Sequence, residues 1–270
     1  MTLPLDLVLV RHGQSEGNAA KRLSEAGDHS AYSEEFRRRH SGSYRLTDLG
    51  REQAAKVGHW IDDTLCRGPG FDRYYTSEYI RAKETAVLLN LSGAKWLTDP
   101  YLTERDWGDI DIAPENERYE RFGKALEMRE IEPFFWRPPN GESFMMLCLR
   151  IDRVLETLHR ECGDKRVIIV CHGEVMRAFQ VRIERLSQQR FRELVLSDKP
   201  EDRIHNCEAI HYTRRDPSGD KRLQPYVGWV SKNRPAEQEP WFSPWYTIRR
   251  YHYSNADLLK EVERYPVFLR

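Results

Sequence analysis

The chain has no excess of either charge. Its 270 residues include 43 Lys and Arg and 43 Asp and Glu, so the formal net charge at pH 7 is zero. Proteins that bind nucleic acids or anionic membrane surfaces usually carry a basic excess. We therefore expect neither a nucleic acid nor a membrane among the partners of this protein.

Cysteine is scarce and shows no pairing pattern. The five cysteines are odd in number, and none forms a C-x-x-C motif with another. This usage is typical of reduced, buried thiols in a reducing compartment rather than of a disulfide framework. The cysteines are Cys66, Cys148, Cys162, Cys171 and Cys207.

Long hydrophobic runs are missing as well. The apolar stretch at residues 3–10 has no cationic residue before it, and it is too short for a signal peptide or a membrane span. The sequence also contains no internal repeat and no low-complexity tract. We therefore expect the protein to be cytoplasmic.

The chain does have the composition of a folded globular protein. Hydrophobic residues make up 39% and charged residues 32%, which suits one large α/β domain, alone or with an appendage. Apolar runs at residues 5–10, 71–76 and 166–171 predict buried strands. Such strands, alternating with helices, predict an α/β three-layer sandwich with a largely parallel central sheet that helices cover on both faces.

Helices are predicted where apolar residues recur at spacings of three and four behind a Ser or Thr. The hydroxyl of such a residue accepts a hydrogen bond from the first turn and so marks the start of the helix. The predicted caps and inward-facing residues are Thr47 with Ala54, Val57, Ile61 and Leu65, Ser77 with Ala82, Ala86 and Leu89, and Ser143 with Phe144, Leu147, Ile151, Val154 and Leu158.

Cationic side chains follow all three predicted strands. Arg-His-Gly stands at residues 11–13, a segment ending in an arginine at residues 77–81, and His-Gly at residues 172–173. In parallel sheets, ligands bind at the carboxyl ends of the strands. Two imidazoles and two guanidinium groups gathered there need an anion, and phosphate suits the planar fork of arginine. The helix start after residue 13 would add backbone N–H donors.

Six segments of the chain form an ordered set of motifs: LVRHGQSEGN at 9–18, LTDLGREQA at 46–54, YTSEYIRAKETA at 75–86, LTERDWG at 102–108, NGES at 140–143 and VCHGEVMR at 170–177. Together they resemble the motifs of the histidine phosphatase (phosphoglycerate mutase-like) superfamily. An R-H-G triplet alone would carry little weight, but six matching segments in the expected order are specific.

The resemblance implies a role for each matching position. His12 would be the nucleophile and become a transient phosphohistidine, and Glu104 would protonate the leaving group and then deprotonate the attacking water. Because an imidazole is nucleophilic only when neutral, the other nitrogen of His12 needs an acceptor, which the sequence does not identify. The groups that would hold the phosphate are Arg11, Asn18, Arg81, His172 and Gly173, and of these Arg11, Arg81 and His172 would also act in catalysis.

Some of these assignments have competitors. The alternative to phosphate binding by Asn18 is that its side chain only caps a helix. Three nearby carboxylates are alternatives to Glu104 as the acid. A metal site built from His12, His172 and Glu104 is chemically conceivable, but the two arginines would repel a cation. We therefore expect neither a metal nor another cofactor. The competing carboxylates are Asp106, Asp109 and Asp111.

Two segments outside the strand–helix pattern define the predicted domain organisation. Residues 1–222 would form the histidine phosphatase domain, and its charged insertion at 21–45 would border the pocket because it leaves the turn after His12. The arginine run at residues 37–39 is interpreted as a solvated helix face, with a basic lip over the phosphate as the alternative. Residues 223–270 form an aromatic and Pro-rich extension that would pack on the helical layer of the same domain, with a partner surface or a cap as the alternative.

The predicted function is that of a histidine acid phosphatase-like enzyme, a hydrolase of the phosphomonoester of a small metabolite. The alternative is a cofactor-dependent phosphoglycerate mutase-type phosphotransferase. Trp107 stands where mutases usually have tyrosine, Glu174 where they usually have asparagine, and Arg118 and Arg121 are separated where mutases have an adjacent pair. These departures favour the phosphatase.

A non-catalytic module that binds phosphorylated ligands is a third alternative. Loss of His12 or Glu104 would indicate it, and both residues are present. The sequence identifies the small-molecule partner only as a phosphate ester. It leaves the oligomeric state open, and a homo-oligomer is compatible with it.

Overall fold

A computed structural model of the chain describes residues 2–68, 70–219 and 223–269. The strands are β1 (Asp6–Arg11), β2 (Arg73–Ser77), β3 (Trp96–Asp99), β4 (Arg166–Cys171), β5 (Ala209–Thr213), β6 (Trp229–Arg234), β7 (Trp241–Phe242) and β8 (Tyr246–Thr247). The α-helices are α1 (Glu16–Glu25), α2 (Glu34–Arg38), α3 (Asp48–Leu65), α4 (Ile80–Leu88), α5 (Glu115–Ile131), α6 (Phe144–Glu161), α7 (Gly173–Glu184), α8 (Gln188–Val195) and α9 (Asn255–Val262). Short 3₁₀ turns occupy Ser41–Ser43, Pro100–Leu102, Gly108–Ile110 and Pro200–Asp202.

The strands form one sheet with a parallel half and an antiparallel half. Its order is β3-β2-β4-β1-β5-β6-β7, and β8 also pairs with β6. The neighbours from β3 to β1 pair in parallel, whereas β5 and the later strands pair antiparallel. The predicted α/β fold class is confirmed, and the strands that follow the predicted sites lie next to one another in the order β2-β4-β1.

Side chains of the central strands alternate between the two faces of the sheet and so divide the core into two layers. Leu7 and Leu9 of β1 belong to the cluster packed by α6 and α7, whereas Val8 and Val10 belong to the cluster packed by α3 and α4. All four side chains are fully buried. Successive side chains of a strand point to opposite faces, so helices must cover both faces of a sheet with such strands at its centre. None of the helices in the described ranges is long and apolar enough to cross a membrane.

Two of the three predicted helix caps are confirmed. Thr47 accepts a hydrogen bond from the backbone N–H of Gly50 at the start of α3, and Ser143 accepts one from Met146 at the start of α6. The predicted cap at Ser77 is wrong. Helix α4 begins only at Ile80, because Ser77 is still the last residue of β2 and its hydroxyl contacts Nε2 of His172 instead.

The C-terminal segment extends the sheet. Strand β6 pairs along its length with β5, and β7 and β8 add a further edge to β6. The segment also packs on the helices: Val227, Val230 and Ile248 belong to the core cluster that contains residues of α6 and α7, and the ring centroids of Phe242 and Trp60 of α3 are 6.1 Å apart. The backbone groups of β6 are satisfied by this pairing with β5. A domain boundary at 222/223 stays a prediction.

Two glycines allow the turn after β1 to lie against the start of α3. A Cβ on Gly13 would lie 2.2 Å from the backbone oxygen of Gly50, and a Cβ on Gly50 would lie 2.0 Å from that of Gln14. Real Cβ atoms do not approach a backbone oxygen so closely. The glycines of the R-H-G and L-T-x-x-G segments are therefore needed for the same close contact, which fixes the turn that carries His12.

We expect Gly50→Ala to lower the free energy of unfolding by about 1–3 kcal/mol, because backbone must move to admit the methyl group. Gly123, within α5, is the matched control, since a Cβ there meets nothing within 4 Å. Gly123→Ala should be neutral or stabilising by about 0.5–1 kcal/mol. Urea denaturation measures both variants, and equal effects would contradict the close-contact explanation.

Candidate active site

The carboxyl ends of β1, β2 and β4 bring the predicted site residues together. Arg11 pairs in register with Cys171, so the residues that follow them, His12 and His172, lie side by side. The centroids of the two imidazole rings are 5.0 Å apart. Arg81, in the first turn of α4, reaches the same point and donates from Nε to Nε2 of His12 over 3.2 Å.

The hydrogen bonds of His12 define its tautomer. Nδ1 lies 2.7 Å from the carbonyl oxygen of Gly13, which can only accept, so Nδ1 carries the hydrogen. Nε2 is therefore the unprotonated nitrogen, in agreement with the donation it receives from Arg81. Burial holds the pKa of His12 well below its usual 6.5, and the charges of Arg81 and Arg11 lower it further. The acceptor that the sequence could not identify is the carbonyl of the next residue.

Arg11, which is half-buried, and Arg81, which is buried, are cations without a carboxylate partner. Arg11 donates from Nη1 to the carbonyl of Ile204 over 2.6 Å, and Arg81 donates from Nη1 to the carbonyl of Ser41 over 2.6 Å. Within the described part of the chain, neither forms an ion pair, and Nε of Arg11 is buried with no hydrogen-bond partner. Burial lowers the pKa of both side chains. Such groups are stabilised when an anion binds between them.

His172 presents a second unpartnered nitrogen. Its Nε2 lies 2.8 Å from the hydroxyl of Ser77, which accepts from the backbone N–H of Tyr79 over 3.2 Å. The Ser77 hydroxyl can also donate its own hydrogen to Nε2, and in that arrangement the imidazole hydrogen is on Nδ1. That Nδ1 is buried and has no partner among the described residues. In this tautomer His172 can donate to an anion beside His12.

Glu104 lies on the connection between β3 and α5. Its Oε1 accepts from the backbone N–H of Arg105 over 2.9 Å. Burial raises the pKa of the Glu104 carboxyl, and the charge of Glu174 adds to this, while Arg81 and Arg11 oppose it. A carboxyl group that retains its proton more readily than usual is suited to donate it to a leaving group.

Asn18 and Gly173 occupy the edge of this cluster. The Asn18 side-chain oxygen accepts from the backbone N–H of Ser15 and from Nδ2 of Asn206, so it caps α1 and its amide nitrogen is the group left to donate. Gly173 is the first residue of α7, and a Cβ there would lie 3.4 Å from Nε of Arg11. Its lack of a side chain keeps room beside the unpartnered guanidinium nitrogen.

The charged insertion reaches the site through its backbone. The carbonyl of Ser41 holds Arg81, and His40 packs edge-on against Tyr79 with ring centroids 5.9 Å apart. The arginines of its basic run point elsewhere, because Arg37 pairs with Glu117 and the other two also pair with carboxylates. Those pairs are Arg38 with Glu34 and Arg39 with Glu16. Their ion pairing argues against a basic lip.

Several contacts of the cluster have no sequence signal. Ser77 was assigned to a helix cap, and Tyr79, whose ring lies 5.3 Å from that of His172, carried no prediction. Asn206, which donates to the backbone carbonyl of His12 over 3.0 Å, lies beyond the six motifs. Each depends on neighbours that are remote in the chain.

A polar cleft of about 400 Å³ adjoins Glu104 and Tyr79. Arg137 and Asn140 contribute donors to its wall, and Asp106 contributes a carboxylate. Among the residues that the structure describes, no group of three or more His, Cys, Asp or Glu side chains is arranged to hold a metal ion.

The model of the histidine phosphatase superfamily (branch 1) matches residues 7–201. The chain belongs to this superfamily. Among its curated relatives is a protein from Parvibaculum lavamentivorans named a 2,3-bisphosphoglycerate-dependent phosphoglycerate mutase. It is 31% identical over 199 residues, which cover 69% of this chain and 83% of the relative.

Solved structures of the superfamily share the fold. The α-ribazole phosphatase from Shigella flexneri matches with a TM-score of 0.58 and 20% identity, covering 78% of this chain and 91% of that one. A mycobacterial glucosyl-3-phosphoglycerate phosphatase in complex with VO3 also matches with a TM-score of 0.58, at 21% identity, covering 78% and 92%. At these identities the likeness establishes the common fold.

We expect Ser77→Ala to lower kcat/KM for a phosphate ester about tenfold, because His172 loses the partner that keeps its hydrogen on Nδ1. Nitrogen NMR of the imidazoles should show His172 shifting from one neutral tautomer to a mixture. Ser187, which caps α8, is the matched control: Ser187→Ala should cost about 1 kcal/mol of stability with kcat/KM retained. An unchanged His172 tautomer in Ser77→Ala would refute this role.

Proposed function

We propose that this protein hydrolyses the phosphomonoester of a small metabolite through a phosphohistidine formed on Nε2 of His12. The observation that carries this proposal is the state of His12: a buried, neutral imidazole whose unprotonated nitrogen accepts from Arg81, with the charge of Arg11 also acting on the ring and, among the described residues, neither arginine in an ion pair with a carboxylate. A nucleophilic nitrogen beside two such cations suits attack on a phosphate anion. The superfamily membership and the phosphatases among the solved relatives support the same reading.

In the first step, a substrate oxygen replaces His12 as the acceptor of the Arg81 Nε–H. Nε2 of His12 then attacks phosphorus, the bond from phosphorus to the ester oxygen breaks, and Glu104 gives its proton to that oxygen. Arg11, Arg81 and Nδ1 of His172 stabilise the equatorial oxygens. Positioning and charge stabilisation are the main requirements of phosphoryl transfer, and these fixed donors provide both.

In the second step, water attacks the phosphorus of the phosphohistidine. The carboxylate of Glu104 takes a proton from the water as the nitrogen–phosphorus bond breaks. His12 returns to its neutral state, inorganic phosphate leaves, and Glu104 is again protonated. Asn18 and the N–H of Gly173 are proposed as further donors to the phosphate oxygens during both steps.

Glu174 favours hydrolysis over a mutase reaction. The negative charge of its carboxylate raises the pKa of both Glu104 and Arg11. The carboxylate also forms an ion pair with Nη1 of Arg105 over 3.4 Å. A mutase of the bisphosphate-dependent type must hold a second anionic group near the phosphohistidine, and a fixed negative charge opposes this. Arg121, one member of the separated arginine pair, is occupied by Glu117 on the exposed side of α5.

A mutase-type phosphotransferase is the second candidate, and the names of the curated relatives favour it. The two reactions are separated by the fate of the phosphoryl group. A hydrolase releases inorganic phosphate from monoesters without priming, whereas a mutase needs 2,3-bisphosphoglycerate and returns the group to an acceptor. The polar wall of the cleft beside Glu104 suits a polar leaving group for either reaction.

The test is hydrolysis of p-nitrophenyl phosphate from about pH 4 to about pH 8 in excess chelator, with His12→Ala for comparison. Activity that survives the chelator and disappears in the variant is the expected result. Activity abolished by the chelator, or retained in His12→Ala, would contradict the phosphohistidine route. Strict dependence on 2,3-bisphosphoglycerate would select the mutase.

We expect kcat/KM to depend on pH in a bell-shaped profile, with its acid limb below the usual pKa of a histidine. His12 must be neutral, and its pKa is lowered, so activity rises with pH through a value well below 6.5. Glu104 must be protonated, and its pKa is raised, so activity falls only above the usual value of 4.5. A kcat/KM profile whose acid limb lies at or above pH 6.5 would contradict the assignment of His12.

Glu104→Gln should lower kcat for an alkyl phosphate by a factor of about 10²–10⁴. The decrease should be much smaller for p-nitrophenyl phosphate, because its leaving group needs no proton. Asp62, an exposed carboxylate near the C-terminal end of α3, is the matched control. Asp62→Asn should stay within about twofold of the parent protein on both esters. If Asp111→Asn shows this substrate-dependent loss and Glu104→Gln does not, Asp111 is the acid.

A further inference from the structure

The orientation of Arg11 depends on a loop. Its Nη1 is held by the carbonyl of Ile204 over 2.6 Å, while its Nε has no partner among the described residues. Ile204 lies in the connection from α8 to β5, and this carbonyl belongs to no helix or sheet ladder. The direction of a catalytic guanidinium is therefore set by a backbone segment that needs its own support.

The same loop contacts the nucleophile turn at two further points. Asn206 donates from Nδ2 to the carbonyl of His12 over 3.0 Å and to the side-chain oxygen of Asn18 over 3.1 Å. The backbone N–H of Cys207 donates to the carbonyl of Arg11 over 3.2 Å. Displacement of this loop would consequently disturb the turn that carries His12 as well as Arg11.

Arg234, at the end of β6, donates hydrogen bonds to backbone carbonyl oxygens of this loop. Its Nη2 lies 3.2 Å from the carbonyl of Pro200 and 3.2 Å from that of Arg203. Its Nε donates to Oε2 of Glu208 over 2.9 Å. Oε2 of Glu208 also accepts from the backbone N–H of His205 over 3.0 Å. One carboxylate oxygen therefore accepts hydrogen bonds from both Arg234 and the loop.

This arrangement is buried and specific for arginine. Arg234 is 5% exposed and Glu208 is fully buried, and the ring of Trp241 covers the guanidinium at 4.8 Å. The planar fork of arginine can bond a carboxylate and backbone carbonyls at once, whereas lysine offers a single ammonium. Strand β6 is thereby linked to Arg11 through this loop, although β6 lies outside the segment that the superfamily model matches.

We propose that Arg234 is a positioning residue that holds the loop at residues 200–208 so that Arg11 points its unpartnered Nε–H at the phosphate site. The proposal rests on the proposed function to the extent that phosphate is the ligand of Arg11. Arg234 does not touch the phosphate, and its effect passes through Ile204 to Arg11.

The first test is binding of inorganic phosphate by calorimetry to the parent protein and to Arg234→Met, Arg11→Met and the double variant. Arg234→Met should weaken binding about tenfold. In the Arg11→Met background the same change should have a much smaller effect, because the part that acts through Arg11 is already lost and only the part that acts through Asn206 on the His12 turn remains. Unchanged affinity in Arg234→Met, or effects of the two changes that multiply, would overturn the proposal.

Arg250 supplies a matched control from the same C-terminal segment. It also donates to two backbone carbonyls, those of Ile183 and Val227, and it packs on an aromatic ring, but at the opposite end of α7 from His172. Arg250→Met should bind phosphate within about twofold of the parent protein. Equal weakening in both variants would assign the effect to general loosening of the extension. Arg234→Lys replaces Arg234→Met if the latter does not fold.

The second test does not involve phosphate. The Nε–H signal of Arg11 in nitrogen NMR, assigned from its loss in Arg11→Lys, should shift or broaden in Arg234→Met and stay in place in Arg250→Met. An unchanged signal would overturn the positioning role. By contrast, phosphate affinity that survives Arg11→Met would count against the proposed function and leave the NMR test of Arg234 intact.

Discussion

The hydrogen bond from Nδ1 of His12 to the carbonyl of Gly13 is the interaction on which the proposed chemistry depends. It keeps the imidazole in the tautomer whose Nε2 is free to react. Burial, with the added charges of Arg81 and Arg11, keeps it from becoming protonated. Without the carbonyl, the ring could present either nitrogen. The close contact between Gly13 and Gly50 holds that carbonyl in place.

The fold provides what this interaction needs. Three neighbouring parallel strands end at one edge, and each delivers one part of the anion site: His12 from β1, His172 from β4, and, through the turn after β2, Arg81. The remaining support comes from segments that follow in the chain. The 200–208 loop anchors Arg11, and the antiparallel strand β6 anchors that loop. In the proposed reaction, the parallel half of the sheet presents the reacting groups, and the antiparallel half holds the backbone around them.

Much of this was predictable from the sequence. The central strands and the helices capped by Thr47 and Ser143 follow from local apolar spacing and capping chemistry, which need no tertiary information. The gathering of the predicted site residues follows from the topology of parallel sheets. Ser77 could not be assigned correctly, because its hydroxyl has one partner two residues away and another 95 residues away. The support of Arg11 by Ile204 and Arg234 was equally hidden, because backbone carbonyls leave no sequence pattern.

The most direct test of the central claim is the protonation state of His12 in the ligand-free protein. Two-dimensional nitrogen–carbon NMR of the imidazoles, recorded against pH and assigned with His12→Asn, reports both the tautomer and the pKa. The account predicts a neutral ring with its hydrogen on Nδ1 at neutral pH, and a pKa well below 6.5. A His12 that titrates at or above 6.5, or that carries its hydrogen on Nε2, would contradict the account.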